Sequence, residues 1–131
     1  MRLIIPPGME ATTARFAYAP GLISGGFLFM AGQLGRDDAG EVIADPEAQI
    51  TRAWENVRSI LEAAGLGILD IVDITTFHVG LREHLPVYRR VRDRVMEGHT
   101  PPWTAIGVSE LTREGLIVEI KCTARVPRAA P

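Results

Sequence analysis

The stretch DPEAQITRAWENVRSILEAAG, residues 45–65, decides the fold of this chain. Asp45 is a favourable N-cap, Pro46 suits the first helical position, and Glu47 complements the positive end of a helix. Gly65 and Gly67 provide the stop signal. Between them, apolar side chains recur at helical spacing: Ile50, Ala53, Trp54, Val57, Ile60, Leu61 and Ala64. We therefore predict an amphipathic helix with one buried face.

Three segments downstream of this helix have strand patterns. Residues 71–79 are rich in β-branched side chains, and residues 103–109 follow a Pro-Pro step. In residues 116–126, apolar side chains occupy the even positions and a more polar set occupies the odd ones. That period of two places Glu119 on the more polar face of its strand.

A second helix and a hairpin complete the set of predicted elements. The helix spans about His84–Glu97, and Pro86 is compatible only with its first turn. Its apolar positions at helical spacing are Tyr88, Val91 and Val95. Two short apolar runs upstream, Phe16–Tyr18 and Phe27–Ala31, are separated by Pro and Gly residues and predict the hairpin.

The resulting order, ββ-α-β-α-ββ, predicts an α+β fold with two layers, a mostly antiparallel or mixed sheet and two helices on one face. Two helices cover only one face of such a sheet. The other face still carries Phe, Ile and Val, so we expect it to be buried against another copy of the chain. Closed cyclic symmetry is the expected form of that homo-oligomer.

Composition limits the class of protein. The 131 residues suit a single domain over 1–131, and 47% hydrophobic residues with 23% charged ones suit a globular core. A net charge of −2 argues against a dedicated nucleic-acid or membrane-surface binder. The lone Cys122 fits a reducing compartment. The N-terminal apolar run is too short for a signal peptide, and no stretch suits a membrane span, so a cytoplasmic location is expected.

No metal and no cofactor are predicted. The three histidines, at positions 78, 84 and 99, lack the HxH or HxxxH spacing of a metal site. Glycine-rich nucleotide loops and the GxSxG elbow are likewise missing from the sequence.

Two features suggest chemistry, and each has a plainer alternative. Glu119 has apolar neighbours on its strand, so desolvation would raise its pKa and suit proton transfer; an ion pair or simple exposure is the alternative. The basic run from Arg89 to Arg94 predicts a solvated helix face or a non-specific contact with nucleic acid. Tyr18 and Tyr88 would line a pocket or belong to the core.

In its motifs the chain resembles the RidA (YjgF) family of trimeric imine/enamine deaminases. The resemblance spans roughly residues 14–126 and rests on the order and spacing of several short segments. These are Tyr18, FMAGQLG (29–35), GEVIADPEAQITRAWENVRSILEAAGL (40–66), ILDIVDITTFHVGL (68–81), PPWTA (101–105) and LIVEIKCTA (116–124).

The resemblance implies a fold similar to trimeric chorismate mutase, with a homotrimer and a ligand cleft at each subunit interface. It implies that Glu119 manages the hydrolytic water and that Tyr18, Ala31 and Gly32 line the cleft. An asparagine position of the family falls at Tyr88, and a position that often holds a thiol or hydroxyl falls at Ala105.

Trp103 is the main departure, because deaminating members carry at this position an arginine that clamps the substrate carboxylate. An indole has one N–H donor and no charge, and losing a charge-assisted bidentate contact costs about 2–5 kcal/mol. We therefore expect poor deamination of 2-aminoacrylate-like substrates and a less acidic ligand that stacks on Trp103. Arg113 and Arg125 are candidate replacement cations.

Three functions remain open at this point. The first is hydrolysis of another imine, enamine or carbonyl metabolite in a homotrimer. The second is a non-catalytic metabolite-binding or interaction module. The third, which only the Arg89–Arg94 run supports, is RNA cleavage or translation inhibition.

Overall fold

The computed structural model describes residues 1–128 and contains seven strands and three α-helices. In chain order they are β1 (Arg2–Ile4), α1 (Glu10–Phe16), β2 (Gly21–Ser24), β3 (Phe27–Met30), β4 (Gln33–Leu34), α2 (Pro46–Ala63), β5 (Ile71–His78), α3 (Leu81–Met96), β6 (Trp103–Gly107) and β7 (Val118–Arg125). A short 3-10 helix at Ile68–Asp70 precedes β5.

All seven strands form one mixed sheet. The strand order is β1-β2-β3-β7-β5-β6, and β4 also pairs with β7. Every pairing is antiparallel except that of β5 with β6, which is parallel because α3 crosses between them. The predicted α+β fold with a mixed sheet is therefore confirmed.

Strand β7 lies in the middle of the sheet, and its side chains point alternately to the two faces. Its even-numbered side chains, from Val118 to Ala124, are buried, whereas Lys121 and Arg125 are exposed. The buried set joins residues of α2, α3 and the neighbouring strands in one core. Both long helices thus cover the same face, as expected, and the opposite face is left open.

Helix α2 begins as predicted. The Asp45 carboxylate accepts a hydrogen bond of 2.9 Å from the Ala48 N–H, and Pro46 is the first helical residue. The predicted apolar stripe from Ile50 to Leu61 is buried. Beyond the helix, Gly65 adopts a φ of 74°, a left-handed conformation that suits glycine.

The prediction of a strand at Phe16–Tyr18 is wrong. Phe16 ends α1, and the first strand of the hairpin is β2. Gly25 and Gly26 have φ values of 62° and 84°, the paired positive values of a tight two-residue hairpin turn. Helix α1 has no buried residue, so it has no apolar stripe that would reveal it in the sequence.

The predicted start of the second helix is also wrong. Helix α3 begins at Leu81, so Pro86 lies in its second turn rather than its first. Proline has no N–H, and the carbonyl of Arg82 therefore lacks its usual helical donor. Strands β1 and β4 were not predicted, since three and two residues are too few to show an alternation.

A buried amide ties α2 to the surrounding loops and to the approach to β7. The Gln49 side chain donates to the carbonyls of Ile43 (2.8 Å) and Gly115 (3.0 Å) and accepts from the Ile117 N–H (2.7 Å). Gly35 packs so closely against α2 that an added Cβ would lie 2.2 Å from the backbone carbonyl oxygen of Gln49. One side chain thus satisfies three backbone groups.

Replacing this amide should destabilise the fold. Gln49→Leu leaves three backbone groups without their partner, and each buried unsatisfied group costs about 1–3 kcal/mol. We expect the free energy of unfolding, measured by urea denaturation, to fall by about 3 kcal/mol or more. Arg58→Met, at an exposed position of α2, should stay within about 0.5 kcal/mol of the parent. An equally small change for Gln49→Leu would contradict this role.

Candidate functional site

Glu119 lies on the open face of the sheet in an apolar setting. Its cross-strand partners are Phe77 of β5 and Leu34 of β4, whose side chains share this face. Its carboxyl group also packs over Gly32, where an added Cβ would lie 2.6 Å from the Glu119 Cδ atom. A glycine at position 32 is therefore what makes room for this carboxylate.

This setting changes the acidity of Glu119. Burial raises the pKa of Glu119 above the ordinary value for a glutamate, while the nearby charge of Lys121 opposes the shift. A carboxyl group with a raised pKa exchanges protons closer to neutrality, which suits general acid–base work. The sequence indicated apolar neighbours along the strand, and the structure adds Phe77 and Leu34 across the sheet.

Tyr18 and Gly32 line a cavity of about 740 Å³ between the N-terminal segment and the loop after β4. Arg36 and Asn56 contribute polar groups to its wall. Ala31 lies at the end of β3, where its N–H donates to the Pro20 carbonyl at 2.8 Å. Tyr18, Ala31, Gly32 and Glu119 thus belong to one region, which we call the Glu119 group.

Trp103 lies on the opposite face of the sheet. Its parallel partner on β5 is Ile74, a core residue, and its indole is turned towards α3. The ring stacks on Tyr88 at 5.4 Å between centroids, and the Arg92 guanidinium carbon lies 4.7 Å from the Trp103 ring centroid. Ala105 follows on the same face, opposite Thr76.

The predicted site residues therefore fall into two groups within one chain. Tyr88, Trp103 and Ala105 form the second, which we call the Trp103 group. Tyr88 is fully buried, and in the described chain its hydroxyl has no hydrogen-bond partner. Because the sheet lies between the two groups, a single chain does not assemble them into one cleft.

Neither candidate replacement cation lies at Trp103. Arg113 donates to the Gly40 carbonyl at 2.8 Å, on the wall of the large cavity. Arg125 shares the open face with Phe27, its cross-strand partner, and its Nε lies 3.9 Å from the Asp70 carboxylate. Arg92 is the arginine that contacts the indole, although in the sequence it is only one member of a basic run.

A chain of polar contacts that was not predicted from the sequence connects Trp103 to a buried histidine. The Trp103 Nε1–H donates to the Thr76 hydroxyl oxygen at 2.9 Å, and that oxygen lies 2.7 Å from the Nε2 atom of His78. The His78 ring meets Tyr88 edge-on at 5.2 Å. The alternation of side chains along β5 could have indicated these contacts from the sequence, since it puts positions 74, 76 and 78 together on the core face.

Several known proteins are similar to this chain in sequence and in structure. The profile of the family described as Endoribonuclease L-PSP matches residues 9–126. The RutC family protein YjgH of Escherichia coli (strain K12) is 33% identical over 125 residues, which are 95% of this chain and 94% of the relative. A solved structure of protein YJGH has a TM-score of 0.90 at 32% identity and covers 98% of both chains.

A second solved structure extends the comparison. E. coli TdcF, solved with bound serine, has a TM-score of 0.77 at 28% identity and covers 82% of this chain and 85% of its own. The chain belongs to the Endoribonuclease L-PSP family, which contains the RidA (YjgF) proteins, and the resemblance inferred from its motifs is confirmed. Membership supports a small-molecule-processing or endoribonuclease-like role.

No group of three His, Cys, Asp or Glu side chains within residues 1–128 is arranged to hold a metal ion. None of the helices in that part of the chain is long and apolar enough to cross a membrane.

His78 should make stability depend on pH. Burial, and secondarily the charge of His84, lower the pKa of His78 from 6.5 to about 4. Between these values the unfolded chain binds the proton and the folded chain does not, so stability falls as pH drops from about 6.5 to about 4. We expect His78 to contribute a loss of about 3 kcal/mol over this range.

Comparison with a variant isolates this contribution. In His78→Phe, urea denaturation at pH 7 and at pH 4 should show a smaller loss of unfolding free energy than in the parent. Both proteins contain the same carboxylates, so the effect of these groups cancels in the difference. Identical pH dependence in the two proteins would rule out His78 as the titrating group.

Proposed function

We propose that this protein is a RidA-like homotrimer that hydrolyses an imine or enamine metabolite other than 2-aminoacrylate in clefts between subunits. The observation that carries the proposal is the desolvated carboxyl group of Glu119, packed on Gly32 at the open face of the sheet. The family resemblance indicates the class of reaction, which is hydrolysis of an imine or enamine.

The open face provides an argument for assembly. It carries exposed apolar side chains on strands far apart in the sheet: Phe27 and Phe29 on β3, Ile106 on β6 and Leu3 on β1. Phe29 keeps 49% of its surface exposed although it lies mid-sheet. An apolar surface of this kind marks an interaction site, and another copy of the chain is the partner that the family resemblance implies.

Assembly would also complete the site. Glu119 lies on the face that a neighbour would cover, and Trp103 begins β6, the edge strand at one end of the sheet. A neighbouring subunit that lays its β6 edge beside Glu119 would bring the two groups together. This arrangement explains why one chain holds them on opposite faces.

The proposed reaction balances with water as the only co-reactant. The oxygen of water bonds to the imine carbon, the π pair of the C=N bond moves to nitrogen, and the nitrogen takes a proton. A second proton transfer from the carbinolamine oxygen to nitrogen expels ammonia as the C=O bond forms. Glu119 accepts the proton from water and returns it to nitrogen, a role that its raised pKa suits.

The two alternatives predict other outcomes. A non-catalytic module would bind a metabolite without ammonia release, and Glu119 would be dispensable. TdcF was solved with bound serine, so a relative of this fold takes an amino acid as ligand. RNA binding would require a basic surface, but Arg92 and Arg94 of the basic run are paired with Asp93 and Glu47.

Removing the charge of Glu119 tests the catalytic role. In Glu119→Gln we expect ammonia release from a panel of acidic and neutral imines to fall by about 100-fold or more, because a positioned acid–base group contributes about that much. The melting temperature should change little. Glu114→Gln, at an exposed position of the loop before β7, is the matched control and should keep parental activity.

The same assay distinguishes the other functions. If no imine gives ammonia but a metabolite still raises the melting temperature, the non-catalytic module is correct. RNA binding that weakens steeply with salt would favour the endoribonuclease-like role.

The assembly is tested separately with Phe29→Glu. A charge in the centre of the open face should prevent another copy from packing there, because burying an unpaired carboxylate is unfavourable. We expect sedimentation velocity to show trimers for the parent and monomers for the variant, with unchanged circular dichroism. Glu62→Gln, at an exposed position of α2, should remain trimeric. A monomeric parent would refute the interface cleft.

A further inference from the structure

The cavity lined by Tyr18 and Gly32 is larger than a small imine requires. Its volume of about 740 Å³ lies in the range of about 300–1,000 Å³ that drug-sized ligands occupy, so it has room for more than a three-carbon compound. Among residues 1–128, none from α3 or β6 lines it. This cavity is therefore separate from the Trp103 group.

The wall of this cavity has an excess of positive charge. Four arginines and three acidic residues line it: Arg15, Arg36, Arg52 and Arg113, with Asp37, Asp38 and Glu41. Two of the acidic side chains are already engaged. One oxygen of the Asp37 carboxylate accepts the N–H groups of Ala39 and Glu41, both at 2.9 Å. Asp38 pairs with Arg52. These two carboxylates therefore do not neutralise the remaining arginines.

Arg36 is a cation without a counter-ion. It lies half-buried on the loop after β4, and within residues 1–128 its guanidinium forms no ion pair and no hydrogen bond. Taking a charge out of water without a partner is unfavourable. Arg113 uses one N–H, on Nη1, to donate to the Gly40 carbonyl at 2.8 Å and keeps its other donors. Two guanidinium groups on this wall thus have donors to spare.

The same cavity has an aromatic wall. Phe16 is 52% exposed and Tyr18 is 41% exposed, and both line the cavity together with Met9 and Pro20. The guanidinium carbon of Arg15 lies 5.1 Å from the centroid of the Phe16 ring, so this arginine already has a partner. Aromatic walls with a few charged groups suit a ligand that has an apolar body and a charged end.

We infer that this cavity is an anion subsite in which Arg36, together with Arg113, binds a carboxylate or phosphate at the far end of a substrate whose apolar body lies against Phe16 and Tyr18. Guanidinium geometry suits both anions, because its N–H groups can bind two oxygens at once. The inference rests on the proposed function and adds a feature to its substrate, which is an acidic group remote from the reacting C=N carbon.

The test is calorimetric titration of the full chain at constant ionic strength with three compounds that share a phenyl ring: phenyl phosphate, phenylacetate and neutral benzyl alcohol. We expect at least one anion to bind more tightly than the alcohol, and the tighter anion identifies the natural group. Arg36→Gln should weaken binding of that anion by about ten- to a hundredfold and leave benzyl alcohol unchanged, because only the charged contact is lost. Arg58→Gln, at an exposed position of α2 outside the cavity, is the matched control and should bind like the parent.

A second variant acts in the opposite direction. Asp38→Asn releases Arg52 from its carboxylate partner and removes a negative charge from the wall, so affinity for the anion should rise about two- to fivefold. This gain does not depend on whether Arg36→Gln folds well. The subsite is overturned by equal weakening in Arg36→Gln and Arg58→Gln, by an unchanged affinity in folded Arg36→Gln or in Asp38→Asn, or by a parent that binds neither anion more tightly than the alcohol.

Failure of the proposed reaction would appear differently. If an anion binds in an Arg36-dependent manner while no imine releases ammonia, the subsite stands and the catalytic proposal is wrong. If imines are hydrolysed and Arg36→Gln leaves the KM unchanged for imines with a remote acidic group, the reaction stands and the subsite is wrong.

Discussion

The alternation of side chains along β7 is the constraint on which the rest of the structure depends. This strand pairs with β3, β4 and β5, so its two faces set the two faces of the whole sheet. Val118, Ile120 and Cys122 are buried beneath the helices, and Glu119 and Lys121 are therefore held on the other side. A shift of one residue would exchange the faces and bury the charges, so the register is strongly specified.

This constraint also determines how the site can form. Glu119 shares the open face with Phe77 and Leu34, which desolvate it, whereas Trp103 shares the core face with Ile74. The two groups that the family resemblance joins are thus separated by the thickness of the sheet. The proposed interface cleft follows from this separation, because another subunit is needed to bring such groups together.

At Trp103, the sequence identified the position of interest but not the cation that lies beside it. The family resemblance identified this position as the usual place of a carboxylate-binding arginine, and the indole suggested a loss of charge. Replacement cations were sought at Arg113 and Arg125, but both are engaged elsewhere. Arg92 had the same sequence signature as any solvated arginine on a helix, and only the packing of α3 against β6 reveals it.

Local elements were predicted well where one pattern dominated. Helix α2 had a cap, a periodic stripe and a stop, and its structure agrees with all three. Helix α1 escaped prediction because it buries no side chain, and the start of α3 was missed because Pro86 suggested a later one.

The sequence by itself determined the long helices, the main strands, the face on which Glu119 lies and the family. The helices, the strands and the face of Glu119 follow from periodicity and local signals, which act over a few residues, whereas the family was identified from the resemblance of several motifs in their order. The tertiary structure alone decided the Gln49 contacts, the burial of His78, the separation of Glu119 from Trp103 and the place of Arg92. Each of these joins residues that are distant along the chain or depends on sheet pairing, and the pairing fixes neighbours that no local pattern specifies.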